Sequence, residues 1–125
     1  MSDAMKGQCF CGGVRFSFPR EKMQGAVACH CRDCQQMHGN YNAMAAVDRD
    51  ALVLEESSSL RWFDSSEKAR RGFCTNCGGR LFKDNLGSPK MMVSIGTIDP
   101  PSGLKIVRNI WTESKGDWYD IPPAG

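Results

Sequence analysis

Cys74-Thr75-Asn76-Cys77-Gly78-Gly79 is the stretch on which the fold turns. Two cysteines separated by two residues and followed by glycines form a metal knuckle. The tight turn brings both sulfurs to one point, and the glycines let the backbone bend around them. A knuckle supplies half of a tetrahedral site, and the other half stands at Cys9-Phe10-Cys11. On an extended strand residues i and i+2 point to the same face, so Cys9 and Cys11 can offer both sulfurs to one ion. Cys9, Cys11, Cys74 and Cys77 therefore read as an all-cysteine site of zinc-ribbon type, whose ligands also suit iron. Its halves come from opposite ends of the cysteine-bearing region. The ion would clip a long loop, and the role read for it is structural.

Three cysteines remain, in Cys29-His30-Cys31-Arg32-Asp33-Cys34. The first pair has strand spacing and the second turn spacing, so the segment passes from strand to turn at Cys31. A total of seven leaves one thiol over from any set of disulfides, whereas four plus three makes one closed metal site and one open one. Candidates for the fourth position are His30, His38, a carboxylate such as Asp33, water or a substrate. His30, between two ligands, points to the opposite strand face. His38 can reach back over a helical turn and close the site; the open reading is favoured over that one. Zinc held by three thiolates has a net charge of −1 and is a weaker Lewis acid than zinc held by imidazoles. Its natural partner is a soft ligand such as an incoming thiol, whose pKa it lowers toward the reactive thiolate. The chemistry expected at Cys29, Cys31 and Cys34 is thiol activation toward an electrophile.

The rest of the chain sets bounds. Its 125 residues suit one domain, spanning 1–125. Sixteen Lys and Arg against fourteen Asp and Glu give a formal charge of +2, too small to argue for a nucleic-acid or membrane surface. The N-terminal MSDAMKGQCF has no apolar run of signal-peptide length, and no segment approaches a membrane span. The expected setting is a reducing cytoplasm, where grouped cysteines bind metal more often than they form bridges.

Short strands dominate. Val14, Phe16 and Phe18 alternate with Arg15 and Ser17 until Pro19 stops the run. Further strands are expected over 25–30, 41–47, 52–55, 60–63, 69–73, 80–83, 91–95 and 104–111, with Gly, Asp, Asn, Ser or Pro in most gaps. Only 32–38 reads as a helical turn. The class is all-β, with short apolar segments that a metal staple would help to fold. Phe16, Phe18, Phe73, Phe82, Val93 and Ile95 read as core, and Met91-Met92 as half core, half edge.

The chain resembles the glutathione-dependent formaldehyde-activating enzyme family, which includes the centromere-protein-V-like proteins. The matching pieces are Cys9-Phe10-Cys11-Gly12-Gly13, Cys29-His30-Cys31-Arg32-Asp33-Cys34, Phe73-Cys74-Thr75-Asn76-Cys77-Gly78 and Ser94-Ile95-Gly96-Thr97-Ile98-Asp99. Ile110-Trp111-Thr112-Glu113-Ser114-Lys115 is similar to the family's closing segment. The resemblance runs in order from Gly7 to Trp118. It implies a β-tent (Mss4-like) fold of short antiparallel strands with zinc knuckles, and two zinc ions per chain. The structural zinc is implied at Cys9, Cys11, Cys74 and Cys77, and the catalytic zinc at Cys29, Cys31 and Cys34. The implied activity is a carbon–sulfur lyase, S-hydroxymethylglutathione synthase, adding glutathione to formaldehyde. The chain departs from the pattern at Asn109, where many relatives are expected to carry histidine.

Other residues weigh less. Arg32, inside the ligand run, is read equally as facing a ligand and as solvated. Arg61, Arg70, Arg71, Lys83 and Arg108 read as solvated strand faces. Gln35, Gln36 and Asn40 can hydrogen-bond a peptide-like ligand, though for Asn40 turn polarity is the favoured reading. Trp62, Trp111 and Trp118 are too scattered for a nucleic-acid stacking platform and read as core or rim packing. No spacing singles out a general acid or base among Asp48, Asp50, Glu55 and Glu56. Three functional readings follow: a zinc enzyme joining a thiol to a small aldehyde, a non-catalytic glutathione or thiol carrier, and a β-tent binding module for a macromolecular partner.

Overall fold

A computed structural model describes residues 4–125. The strands are β1 (Ala4–Gln8), β2 (Arg15–Pro19), β3 (Met23–Cys29), β4 (Asn42–Asp48), β5 (Val53–Glu56), β6 (Leu60–Asp64), β7 (Ala69–Cys74), β8 (Arg80–Asn85), β9 (Lys90–Ser94) and β10 (Ile106–Ile110); α1 (Arg32–His38) is the one α-helix among the described residues. They form a three-stranded sheet in the order β1-β2-β5 and a seven-stranded sheet in the order β10-β3-β4-β9-β8-β7-β6. Every pairing is antiparallel except that of β10 with β3. The all-β expectation holds, and no helix among the described residues is long and apolar enough to cross a membrane.

The alternation read at Phe16 and Phe18 decides how the sheets meet. Both rings are buried, while Arg15 is exposed. Phe16 stacks on Phe18 at 6.3 Å and meets Phe82 of the larger sheet edge-on at 5.3 Å. Met5, Val14, Val47, Leu81 and Val93 complete this core. Burying each phenylalanine contributes about 2–3 kcal/mol from its apolar area. β1, which the sequence pattern does not mark, closes the small sheet. It can do so because Gly7 carries no side chain: a Cβ there would lie 2.3 Å from Phe16 Cζ and 2.5 Å from the Thr97 carbonyl oxygen.

Four expectations need correction. Phe73 is only half-buried, because it points to the β7 face opposite Cys74, with the Arg80 guanidinium 5.9 Å from its ring. Ile95 is also half-buried; it lies in the short turn Ile95–Thr97 that ends β9 and packs against the edge of the core. Arg71 is not a solvated strand residue but is 3 % exposed. Its neighbour Arg70 is half-buried too. Its Nε donates to Asp84 Oδ2 at 2.9 Å, and its guanidinium lies 4.1 Å from the Trp62 ring. Trp111 and Trp118 are rim residues, largely exposed.

Candidate functional site

The cysteines fall into two groups, all as free thiols. The first joins Cys9 and Cys11, just after β1, to Cys74 and Cys77 at the end of β7, with all four sulfurs within 4.8 Å of one another. Local hydrogen bonding explains the convergence. The Gly78 N–H donates to the Cys74 carbonyl at 2.8 Å and the Cys74 N–H to the Gly79 carbonyl at 2.9 Å, closing a knuckle in which Gly78 has φ of 76°. The Cys9 N–H donates to the Val14 carbonyl at 3.1 Å and turns the first pair inward. Backbone N–H groups also aim at the sulfurs: Val14 at Cys9 Sγ (3.3 Å), Gly13 at Cys11 Sγ (3.4 Å) and Gly79 at Cys77 Sγ (3.4 Å). Such donors favour thiolates. The Ser59 hydroxyl and the Cys77 amide hold the Cys74 thiol down at about 6.

The donor set fits one tetrahedral ion. Four sulfurs about 2.3 Å from a zinc lie about 3.8 Å apart. Cys9 and Cys11 Sγ are 3.7 Å apart, and Cys11 and Cys74 Sγ are 3.6 Å apart. These separations are far too long for a disulfide.

The second group gathers Cys29, Cys31 and Cys34, again with all sulfurs within 4.8 Å. Cys29 ends β3. Cys31 is the N-cap of α1, its sulfur accepting the Cys34 N–H at 3.4 Å. The strand-to-helix change at Cys31 thus turns three sulfurs toward one point. Cys29 and Cys34 are buried and Cys31 is half-buried. A hydrogen bond from the Cys34 thiol pulls Cys29 down to about 5, while Cys29 and burial push Cys34 up. Crowded sulfurs thus oppose one another's ionisation, an arrangement that a cation relieves. This group too has the geometry to hold a metal ion.

Among the described residues no fourth His, Cys, Asp or Glu joins the three. His30 is fully buried with both ring nitrogens engaged. Nδ1 meets the Tyr119 hydroxyl at 2.6 Å, and Nε2 meets Asn109 Oδ1 at 2.9 Å. Asn109 Nδ2 donates to the Pro122 carbonyl at 2.9 Å, which leaves its oxygen to accept from His30. The Asn109 departure noted in the sequence therefore has a local role, pinning the histidine between Cys29 and Cys31. His38 lies at the end of α1 outside the group; burial and then the fields of Arg71 and Arg80 push it down to about 4. Asp33 is exposed on the cleft wall.

That cleft, about 380 Å³, opens beside Cys31 between α1, β7, β8 and the segment after β10. Arg32, Arg71 and Lys83 bring positive charge to it, Ser65 and Ser114 bring hydroxyls, and Trp111 forms an apolar wall. Arg32 is exposed and donates to Gln35 Oε1 at 3.1 Å. Gln35 is turned inward to the His30 and Ser114 carbonyls. A second groove, about 400 Å³, lies between Met37, Phe63 and Phe73. Sequence reasoning missed Arg71, Lys83 and the serines. Their only signal is the alternation in Ala69-Arg70-Arg71-Gly72-Phe73, which sets Arg71 on the face opposite Cys74 without showing what covers it.

The family model described as glutathione-dependent formaldehyde-activating enzyme matches residues 4–114. A crystal structure of a Rhodobacter sphaeroides protein superposes with a TM-score of 0.65 at 21 % identity, covering 84 % of this chain and 99 % of that one. It supports the fold. No curated protein matches the chain.

Proposed function

The chain belongs to the glutathione-dependent formaldehyde-activating enzyme family, and from that premise we propose a zinc-dependent carbon–sulfur lyase-type enzyme. It adds glutathione or a related thiol to formaldehyde or a similar aldehyde. The thiol sulfur bonds to the aldehyde carbon, the carbonyl π bond opens, and the proton passes to its oxygen, giving an S-hydroxymethyl thiol. The observation that carries this reading is the three-sulfur group with Cys31 on the wall of a cleft of about 380 Å³, a volume in the range of small-molecule sites.

Cys9, Cys11, Cys74 and Cys77 would hold a structural zinc, and Cys29, Cys31 and Cys34 a catalytic one. Zinc held by the second group would supply acidity toward an incoming thiol. The remaining work falls to the chain's own side chains. Cys31 faces the cleft and marks where the substrate sulfur arrives. Arg32 and Lys83 attract the carboxylates of a peptide thiol, and Ser65 and Ser114 offer hydrogen bonds to it. Trp111 narrows the access of water. His30, locked by Tyr119 and Asn109, holds the backbone between two of the sulfurs. We place the activity in a reducing cytoplasm, where free thiols persist, with 1–125 as one zinc-binding domain.

The test is the rate of S-hydroxymethyl thiol formation from glutathione and formaldehyde, measured against the spontaneous reaction. Acceleration by the zinc-loaded chain that is lost in Cys31→Ser supports the enzyme. Glutathione binding with no acceleration makes the protein a thiol carrier and sinks the proposal.

A further inference from the structure

Arg71 is a buried cation with no carboxylate partner among the described residues. Its side chain is 3 % exposed, and its Nε has no hydrogen-bond partner. Nearby Arg49 and Arg70 share the Asp84 carboxylate, which Arg71 does not reach. A guanidinium keeps its charge throughout the range in which proteins fold, and burying it without an anion is strongly unfavourable. Its nearest polar contact is sulfur: Nη1 and Nη2 lie 3.9 and 3.8 Å from Cys34 Sγ.

Lys83 on the cleft wall also acts on Cys29, but the guanidinium of Arg71 is the cation in contact with a sulfur of the group. Three thiolates around a divalent ion leave one net negative charge, and Arg71 carries one positive charge. We infer that Arg71 is the fixed counter-charge of the Cys29/Cys31/Cys34 metal group, holding the Cys34 sulfur as a ligand through its guanidinium contact. It is a positioning residue: it acts through Cys34. The inference rests on the reading of these three cysteines as a metal site. It explains why an arginine occupies an inward position of β7 with no acid opposite it, and why the first group needs no counterpart. There, Cys11 is exposed to water and backbone N–H groups serve the other sulfurs.

The test uses the full chain stripped of metal and titrated with zinc against a chromophoric chelator, then with cobalt. Wild type should take up two ions of unequal affinity. Arg71→Met should weaken the weaker ion by about 10–100-fold, the usual effect of losing a partner of a ligand, and leave the tighter one unchanged. With cobalt, its thiolate-to-metal absorption should move to lower energy, since a sulfur without its N–H neighbours gives up charge more readily. Arg71→Lys, which keeps the charge, should recover most of the affinity. Wild-type affinity in Arg71→Met overturns the inference. So does loss of the ion from Arg71→Lys, which stands as the deciding variant should the methionine form not fold. A wild-type chain that binds one ion fails the underlying metal reading; two ions with no effect of Arg71 fail only the counter-charge.

Discussion

Replacing Cys74 by serine should cost this protein far more stability than replacing Cys31. In the proposed structural site the ion links Cys11 to Cys74, 63 positions apart. Closing a loop of that length costs the unfolded chain about 4 kcal/mol on the cross-link entropy scale, and this is the advantage the clip contributes to the folded state. A chain of this size has a total stability of about 6–19 kcal/mol, so the loss is a large share of it. The second group closes a loop of roughly 5 residues, worth about 2 kcal/mol on the same scale. Burial points the same way: Cys74 is fully buried against Ser59 and Cys11, whereas Cys31 is half-exposed at the cleft. Thermal unfolding followed by circular dichroism, with zinc present throughout, should show Tm lowered by about 15 °C in Cys74→Ser and about 7 °C in Cys31→Ser. The Cys31→Ser chain should retain one ion and Cys74→Ser should lose the structural one. Equal destabilisation by the two substitutions would refute the division into a clip and an open site.

Asp84→Asn should destabilise by about 2 kcal/mol, below the roughly 3–5 kcal/mol of a fully buried broken pair because both arginines keep part of their side chains in water. Burial pushes the Asp84 carboxyl up, but Arg49 and Arg70 outweigh it and hold it below the usual carboxylate range. Its contribution is therefore complete above the unfolded pKa and is lost as pH falls through the folded one. Urea unfolding should show the gap between wild type and variant closing on acidification below about pH 4; a gap constant with pH contradicts the assignment. Asn109→Ala leaves His30 Nε2 buried without its acceptor and should cost about 1–3 kcal/mol. An unchanged Tm would show that the histidine is held by Tyr119 alone.

Local chemistry made much of this protein legible. The Phe16–Phe18 alternation, the helical turn over 32–38, the pairs Cys9/Cys11 and Cys74/Cys77 and the run Cys29–Cys34 all depend on neighbours within a few residues, where strand and turn periodicity act directly. β1 was invisible because Met5 is its one large inward side chain, and what admits the strand is the space left by Gly7 against Phe16 and Thr97. Phe73 and Arg71 were misplaced for a related reason. Alternation along β7 shows that they share a face, but not that the face carries Arg80 at one end and the sulfur group at the other.

By itself the sequence determined the all-β class and the partition of seven cysteines into four and three, because the spacing within each pair or run is a property of the local backbone. Only the tertiary structure decided what surrounds the sulfurs. It set His30 against Asn109 and Tyr119, kept His38 out of the group, opened the cleft at Cys31, and brought Arg71 against Cys34. Those contacts join β3, α1, β7, β10 and the C-terminal segment across long stretches of chain. Burial and charge there depend on how the elements pack, and no spacing along a single segment encodes them.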